Sequence, residues 1–394
     1  MRYLFCGSLA IISASFSEQQ RDKAIGTWSG FTAITSALGP VLGGYLVENI
    51  SWRWIFFLNV PLAVIVLGIL FWRVPESHNE AAAKLDWWGA ILTTVGLGAI
   101  VYGLIESSHL GLNHSVVLIS LLIGALTLGA FIFVEANSCN PMMPLSLFRS
   151  RTFSGANLLT LLLYAALSGV FFFVPFNLIQ VQGYSATAAG AVFLPFILIM
   201  FFLSRWSGGL VNRYGAKLPL TIGPVIAAIG FALFAVPGIG GSYWTTFFPA
   251  IIVLGFGMAI SVAPLTTTVM GAVKVRQAGI ASGINNAVAR CAGLLVIALL
   301  SIIVANVFNY SLDRRLATLG ISPQIQQLLA LQRIKLAAAQ VPASLTPEIR
   351  TTLQSAIAFA YVDSFRLVMY IAAGLALSSA IVALLLIKKQ PQRA

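Results

Sequence analysis

A stripe of polar side chains interrupts the long apolar run Ala278–Val307. Ser282, Asn286 and Arg290 follow one another at intervals of four residues, and Asn285 precedes the second of them. On an α-helix this spacing places the three residues on one face. An arginine at mid-depth in a membrane costs about 2.5–3.5 kcal/mol on insertion scales, so its guanidinium is expected to face a cavity or a partner. Hydrogen bonding to backbone carbonyls at a nearby break in the helix is the structural alternative.

Uncharged amides end another apolar run. Asn177, Gln180 and Gln182 come just before a Gly-Tyr-Ser sequence. Amide groups donate and accept hydrogen bonds, which suits the recognition of varied ligands in a cavity. Satisfied contacts between helices would account for them equally well. The residues predicted to line a substrate cavity are Asn285, Asn286, Arg290, Asn177 and Gln180.

The remaining chemistry-bearing residues do not form an enzyme site. Three cysteines and three histidines are scattered along the chain, which gives neither a disulfide framework nor the spacing of zinc ligands. The sequence contains no nucleophile–base pair and no phosphate loop of the GxxxxGK[ST] type. Glu48, Glu106, Glu135 and Asp363 all fall near the ends of apolar runs, so no proton-coupling carboxylate is visible within a span. We therefore expect no enzymatic activity, no metal and no cofactor.

Two segments combine glycine with other turn or packing residues. Small residues four positions apart let a second helix approach closely, and proline bends a helix. The first segment predicts a packing seam formed by Gly39, Pro40, Gly43 and Gly44. The second predicts a tight basic loop formed by Gly208, Asn212, Arg213, Gly215 and Lys217. Gly215 can adopt a backbone conformation closed to other residues, and the two cations suit an inner membrane interface.

Composition indicates the environment of these segments. Of 394 residues, 59% are hydrophobic and only 9% are charged, whereas a soluble domain carries roughly a quarter charged residues. The chain is therefore too poor in polar residues for a soluble enzyme. The net charge of +12 lies largely in short loops between apolar runs, which is typical of membrane topology and does not indicate a nucleic-acid partner.

Ten apolar runs approach the roughly 20 residues that a spanning helix needs. They are Ile25–Leu46, Trp54–Trp72, Trp87–Ile105, Val116–Val134, Phe153–Ile179, Ala188–Leu203, Leu218–Val236, Trp244–Val269, Ala278–Val307 and Phe365–Ile387. An eleventh run, Tyr3–Phe16, is short and predicts a partial helix. Positive charges concentrate in alternate short loops, which predicts a cytoplasmic carboxyl terminus. The residues 309–364 then form a long extracytoplasmic loop.

The motifs together resemble the major facilitator superfamily, specifically its drug:proton antiporter branch with fourteen helices. The segment Gly39–Gly44 resembles the antiporter motif of the fifth helix, and Trp52–Pro61 matches the start of the sixth. Gly208–Lys217 is similar to the family's cytoplasmic loop motif, although Asn212 stands where the pattern usually has aspartate. Ala278–Asn286 also matches.

The resemblance implies an all-α polytopic membrane protein with a major-facilitator-type helix bundle. By this alignment, residues 1–72 are the remainder of the N-terminal bundle, comprising the end of helix four and helices five and six. Residues 73–151 hold two linker helices, and residues 152–394 form the C-terminal six-helix bundle. The first three helices of the branch have no counterpart in the sequence.

The resemblance also implies a function. We expect a secondary active transporter of the plasma (inner) membrane that exports small amphipathic compounds in exchange for protons by alternating access. The expected partners are a small-molecule substrate, the proton, the lipid bilayer and a periplasmic adaptor protein. Two alternatives stay open: an N-terminally truncated or mis-started chain that cannot transport, and an exporter of one specific metabolite, lipid or peptide.

Overall fold

The structure, a computed structural model, describes Thr35 and residues 39–73, 86–138, 141–274, 277–319, 329, 332–339, 341 and 346–388. Within these ranges the regular elements are helical, with no strand. The partial helix predicted at Tyr3–Phe16 and the start of the run Ile25–Leu46 lie outside them. The α-helices are α1 (39–49), α2 (Trp54–Phe57), α3 (Asn59–Arg73), α4 (Trp87–Leu110), α5 (Ser115–Asn137), α6 (Arg151–Gln180), α7 (Ala186–Ala191), α8 (Leu194–Gly208), α9 (Leu210–Tyr214), α10 (Lys217–Leu233), α11 (Tyr243–Thr246), α12 (Phe248–Gly271), α13 (Ala278–Thr318) and α14 (Pro347–Leu386).

The described helices are long and apolar enough for a polytopic membrane protein. Eight helical stretches among them could cross a membrane by length and composition, with α2 and α3 counted as one and α7 and α8 counted as one. The shorter apolar helix α10 adds a further candidate. A bilayer core contains no water that could bind unpaired backbone groups. A helix pairs its own backbone groups, whereas an open sheet would leave those of its edge strands unpaired. The predicted all-α polytopic fold is confirmed.

The packed core lies among α6, α8, α10, α12, α13 and α14. Phe153 of α6, Phe231 of α10, Phe308 of α13 and Phe365 of α14 are almost fully buried there. Between α10 and α12 the backbones approach so closely that a Cβ at Gly230 would lie 2.6 Å from Leu254 N. Glycine at such positions allows the close contact that drives association of helices in a membrane.

Helices α4 and α5 form a separate antiparallel pair that contacts the core through α13. Asp86 caps the start of α4 by accepting a hydrogen bond from Gly89 N at 2.8 Å. The two helices approach closely at Gly124, where an added Cβ would lie 3.0 Å from Gly96 O. This pair connects α3 to α6 along the chain.

The stretch 309–364 differs from the predicted long loop. Helix α13 has 41 residues and α14 has 40, so each extends about 60 Å, twice the thickness of the hydrocarbon core. Beyond the apolar part the two helices stay paired, with Arg315 and Asp363 forming an ion pair at 2.8 Å. Residues 309–318 and 347–364 of the predicted loop are therefore helical. The prediction placed the end of each span at the first charged residues. In the structure the charged residues of α13 and α14 pair with each other, and both helices continue past the apolar part.

Candidate functional site

Asn285 of α13 lies in a hydrogen-bonded contact with α6. Its Nδ2 donates to Asn157 Oδ1 at 3.2 Å and to Thr160 Oγ1 at 2.6 Å. Asn157 is 4% exposed and Thr160 is fully buried, and both also donate to carbonyl groups one turn earlier in α6. A buried polar group without a partner is costly in an apolar core. The amide of Asn285 therefore joins the two helices.

Asn286 and Arg290 have a different environment from Asn285. Asn286 is half-buried, and its Nδ2 donates to Ser282 O within its own helix at 3.0 Å. Arg290 is exposed, and its side chain forms no hydrogen bond or ion pair with another described residue. It lies about 18 Å along α13 from the helix start, as 12 residues at 1.5 Å each require. This face of α13 presents a cation and an amide at the depth of the apolar core.

The contrast between the two asparagines predicts different effects of alanine. Asn285→Ala removes both hydrogen bonds to α6 and is expected to lower the free energy of unfolding by about 1 kcal/mol, the usual scale for such contacts. Asn286→Ala is the matched control, since it loses only a bond to its own helix and is expected to leave stability unchanged. Unfolding of the purified, membrane-reconstituted protein measures both. Equal stability of the two variants would contradict the structural role of Asn285.

The predicted amides Asn177 and Gln180 lie far from Asn285. Twenty residues separate Asn157 from Asn177 on α6, which corresponds to about 30 Å. Asn177 is 2% exposed, and Gln180 is exposed. The structure does not bring the five predicted cavity residues together: it divides them between the two ends of α6.

Asn177, predicted to lie either in the cavity or in a contact between helices, takes part in a hydrogen-bonded clamp centred on Gln182. Gln182 Nε2 donates to Asn177 Oδ1 at 3.4 Å and to Gly238 O at 2.8 Å, while Gln182 Oε1 accepts from Gly240 N at 2.7 Å. Gly240 has a φ of +80°, which favours glycine. The clamp joins the end of α6 to the turn between α10 and α11.

The glycine-rich segment of α1 packs against α7. A Cβ at Gly44 would lie 2.5 Å from Ala186 O, and one at Gly190 would overlap Pro40 O. No described atom lies within 4 Å of a Cβ at Gly39 or Gly43. Among the described residues, the close approach therefore depends on Gly44, Pro40 and Gly190, and the last of these was not among the predicted seam residues.

Glu48 strengthens the same contact and was missed by sequence reasoning. Its Oε2 accepts hydrogen bonds from Thr187 Oγ1 at 2.6 Å and from Thr187 N at 3.1 Å. These bonds, the hydroxyl first, hold the pKa of Glu48 below its ordinary value. A carboxyl group whose pKa is lower in the folded protein stabilises the fold at any pH above its pKa in the unfolded chain. This stabilisation is lost as the pH falls through the pKa of the folded protein. The tie between α1 and α7 is therefore present at neutral pH.

The predicted basic loop is a helical turn with one unusual glycine. Gly208 ends α8, α9 carries Arg213, and Lys217 begins α10. Gly215 has φ 75° and ψ 167°, a region nearly restricted to glycine. Arg213 is exposed and its guanidinium lies 5.3 Å from the ring centre of Tyr214. The side chain of Asn212 lies outside the described part of the chain.

Sequence reasoning also missed Asn157 and Thr160. Both lie at helical spacing in an apolar run. In sequence they look like any hydroxyl or amide side chain that bonds to the backbone of its own helix. Their separation of three residues does indicate that the two side chains lie next to each other on one face of α6. Only the position of α13 shows that this face meets Asn285.

Comparison with known proteins gives consistent similarities. The chain is 32% identical to the multidrug resistance protein Stp of Mycobacterium tuberculosis over 82% of its own length and 60% of Stp. It is 28% identical to the tetracenomycin C resistance and export protein of Streptomyces glaucescens, over 98% of its length and 72% of that protein. The chain thus spans about 60% of the length of Stp, the relative with the higher identity of these two.

The fold has a counterpart among solved structures. A bacterial homologue of the human lysosomal transporter Spinster, crystallised in an inward-facing and unoccupied conformation, superposes with a TM-score of 0.50 at 16% identity, over 96% of this chain and 74% of that one. A sequence model of the Major Facilitator Superfamily matches residues 3–298. With its helical fold and its α1 and α9 motifs, the chain belongs to the major facilitator superfamily.

Proposed function

We propose that the chain exports small amphipathic compounds in exchange for protons, by alternating access to a cavity beside α13. The observation that carries the proposal is Arg290, an exposed cation about 18 Å along an apolar helix, four residues from the half-buried amide of Asn286. A charge at this depth needs a polar environment. The similarity to proteins named for multidrug resistance and for export of tetracenomycin C supports a small-molecule substrate.

The proposal gives each group of residues a role. Asn286 and Arg290 contact the substrate, while Asn285 positions their helix against α6. Asn177 and Gln180 lie at the end of α6 that the charge pattern assigns to the outside, and Gln180 can meet a substrate there. The seam formed by Pro40 and Gly44 of α1 with Gly190 of α7 closes the cavity on one side. The basic loop containing Arg213 and Lys217 closes it on the other.

The same reasoning extends to the organisation of the chain. Helices α6 to α14 pack around a common core, which supports a C-terminal bundle over residues 152–394. Helices α4 and α5 stand as a pair beside it, which supports a linker over 73–151. Residues 1–72 would supply the rest of an N-terminal bundle.

Transport by the purified chain tests the proposal. The protein would be reconstituted into phospholipid vesicles, with ethidium as an amphipathic, fluorescent probe and an imposed pH gradient as the energy source. We expect ethidium accumulation that follows the gradient and collapses when a protonophore is added. Vesicles with the Arg290→Ala protein are the control for leakage through the protein. Absence of gradient-driven ethidium accumulation by a correctly folded chain would contradict multidrug export and favour either a specific exporter or a transport-incompetent chain.

A second candidate is an exporter of one compound. The relative named for tetracenomycin C covers nearly the whole chain, and a protein named for one compound favours a narrower substrate range. Competition separates the two candidates. Unrelated amphipathic cations should inhibit ethidium transport by a multidrug exporter, whereas a specific exporter should show no ethidium transport and respond to its own substrate alone.

A further inference from the structure

Two carboxyl groups meet at the point where α4, α5 and the segment before α6 come together. Asp86 Oδ1 accepts the capping hydrogen bond from Gly89 N at 2.8 Å. Glu135, near the end of α5, is 2% exposed, and its Oε2 accepts from Met143 N at 3.2 Å. One oxygen of each carboxyl group is therefore bound to a backbone amide.

The other two oxygens have no donor. Asp86 Oδ2 and Glu135 Oε1 are buried and form no hydrogen bond with any described donor. They share the space beside Gly89, where an added Cβ would overlap Asp86 Oδ2 and lie 3.0 Å from Glu135 Oε1. Ionised carboxylates only accept hydrogen bonds. Two such groups in contact repel each other unless a proton lies between them.

The described surroundings supply no cation to neutralise the pair. Arg149 and Arg151, which follow the segment that contacts Glu135, form no ion pair or hydrogen bond with either carboxyl group. Glu106 of α4 and His114 beside α5 lie at the opposite ends of those helices. On α13, which packs against α4, Arg290 makes no contact with either acid, and the other charged residues lie beyond residue 312. A shared proton would neutralise one charge of the pair and give both buried oxygens beside Gly89 a hydrogen-bond partner.

We infer that Asp86 and Glu135 form a proton-binding site, in which one proton is held between Asp86 Oδ2 and Glu135 Oε1. The site carries one negative charge when loaded and two when the proton is released to the water at this end of the helices. The loaded pair joins the start of α4 to the end of α5, and through Met143 N it joins both to the chain entering α6. Release of the proton introduces repulsion at this junction and loosens it. The inference is independent of transport, since no substrate is involved.

A neutral substitution mimics the loaded state. In Glu135→Gln the amide can donate to Asp86 Oδ2 while its oxygen accepts from Met143 N, so the junction is kept at any pH. Asp86→Asn offers the reciprocal donor to Glu135. Glu135→Ala removes the junction altogether. Lys84, two positions before Asp86, lies outside the described residues. Lys84→Gln is therefore the control that tests whether its ammonium group pairs with either carboxyl group.

Two measurements on the full-length protein in lipid test the site. Infrared difference spectra between wild type and Glu135→Gln, and between wild type and Asp86→Asn, should each show loss of one protonated carboxyl C=O band at neutral pH. Thermal stability of the wild type should fall as pH is raised to alkaline values, because the loaded state is lost. Glu135→Gln should be insensitive to pH over that range, and Glu135→Ala should have a lower Tm throughout.

Three outcomes would overturn the inference. The first is the absence of a protonated carboxyl band that depends on these two residues. The second is a parallel pH dependence of Tm in wild type and Glu135→Gln. The third is stabilisation of the wild type by added Na⁺ or Ca²⁺ at constant pH, absent in Glu135→Gln, which would assign the site to a metal cation. A protonated carboxyl band that appears only in Lys84→Gln would show that the Lys84 ammonium group neutralises the pair in the wild type.

Discussion

Gly44→Leu is expected to abolish export while the protein still inserts into the membrane. A Cβ at Gly44 would lie 2.5 Å from Ala186 O and 2.9 Å from Thr187 Cα. Both are backbone atoms, so no side-chain rotation can relieve the overlap. Overpacking of this kind lowers the free energy of unfolding by about 1–3 kcal/mol. The two helices avoid this cost only by moving apart. Because Glu48 also contacts Thr187, separation of α1 from α7 breaks that tie as well.

Gly43→Leu is the matched control for this prediction. It lies next to Gly44 in the same helix, but no described atom falls within 4 Å of its Cβ position. Export of ethidium and the amount of protein in purified membranes are measured for both variants. Gly43→Leu should keep at least most of the export activity. If Gly44→Leu exports like the wild type, or if both variants fail alike, the contact between Gly44 and α7 is not the packing seam.

The sequence was sufficient to predict the helical fold, and the reason is physical. A bilayer requires about 20 apolar residues per span, so the runs themselves delimit helices such as α5 and α6. It was less informative at the outer ends of α13 and α14, because Arg315 and Asp363 look like the end of a span until their pairing is seen. Hydropathy measures the preference of a segment for lipid and does not register ion pairs between segments.

Individual site residues were harder to predict than the segments that contain them. The α1 segment was recognised as a packing motif, but only the position of α7 distinguishes Gly44 from Gly43. Similarly, Asn285 and Asn286 are adjacent in sequence, and their different roles follow from the rotation of α13 toward α6. Glu135 was placed near a helix end, where a carboxylate is normally solvated, yet it is 2% exposed. These contacts depend on how helices are oriented about their axes.

Arg290→Ala is expected to reduce export at least about tenfold, a loss of roughly 1.4 kcal/mol in substrate or transition-state stabilisation, without lowering the amount of folded protein. Arg290 is exposed, and its guanidinium forms no hydrogen bond or ion pair with another described residue, so its removal breaks no such bond of the described fold. Removal of a charge from an apolar span favours membrane insertion, so Arg290→Ala should not lower the amount of inserted protein. Arg290→Lys keeps the charge but loses the planar, forked donor geometry, and intermediate export is expected.

Leu294→Ala is the control for Arg290→Ala, since Leu294 lies one turn further along α13 and is 50% exposed. Export and membrane abundance are measured in parallel for the three variants. If export per molecule of Arg290→Ala stays at the wild-type level while abundance falls, the arginine serves the fold by bonding to backbone carbonyls, and the cavity assignment is wrong. If export falls at constant abundance only in the two arginine variants, the cation acts on the transported compound. The expected order of export is then wild type and Leu294→Ala, followed by Arg290→Lys and last Arg290→Ala, because charge and donor geometry are removed one after the other.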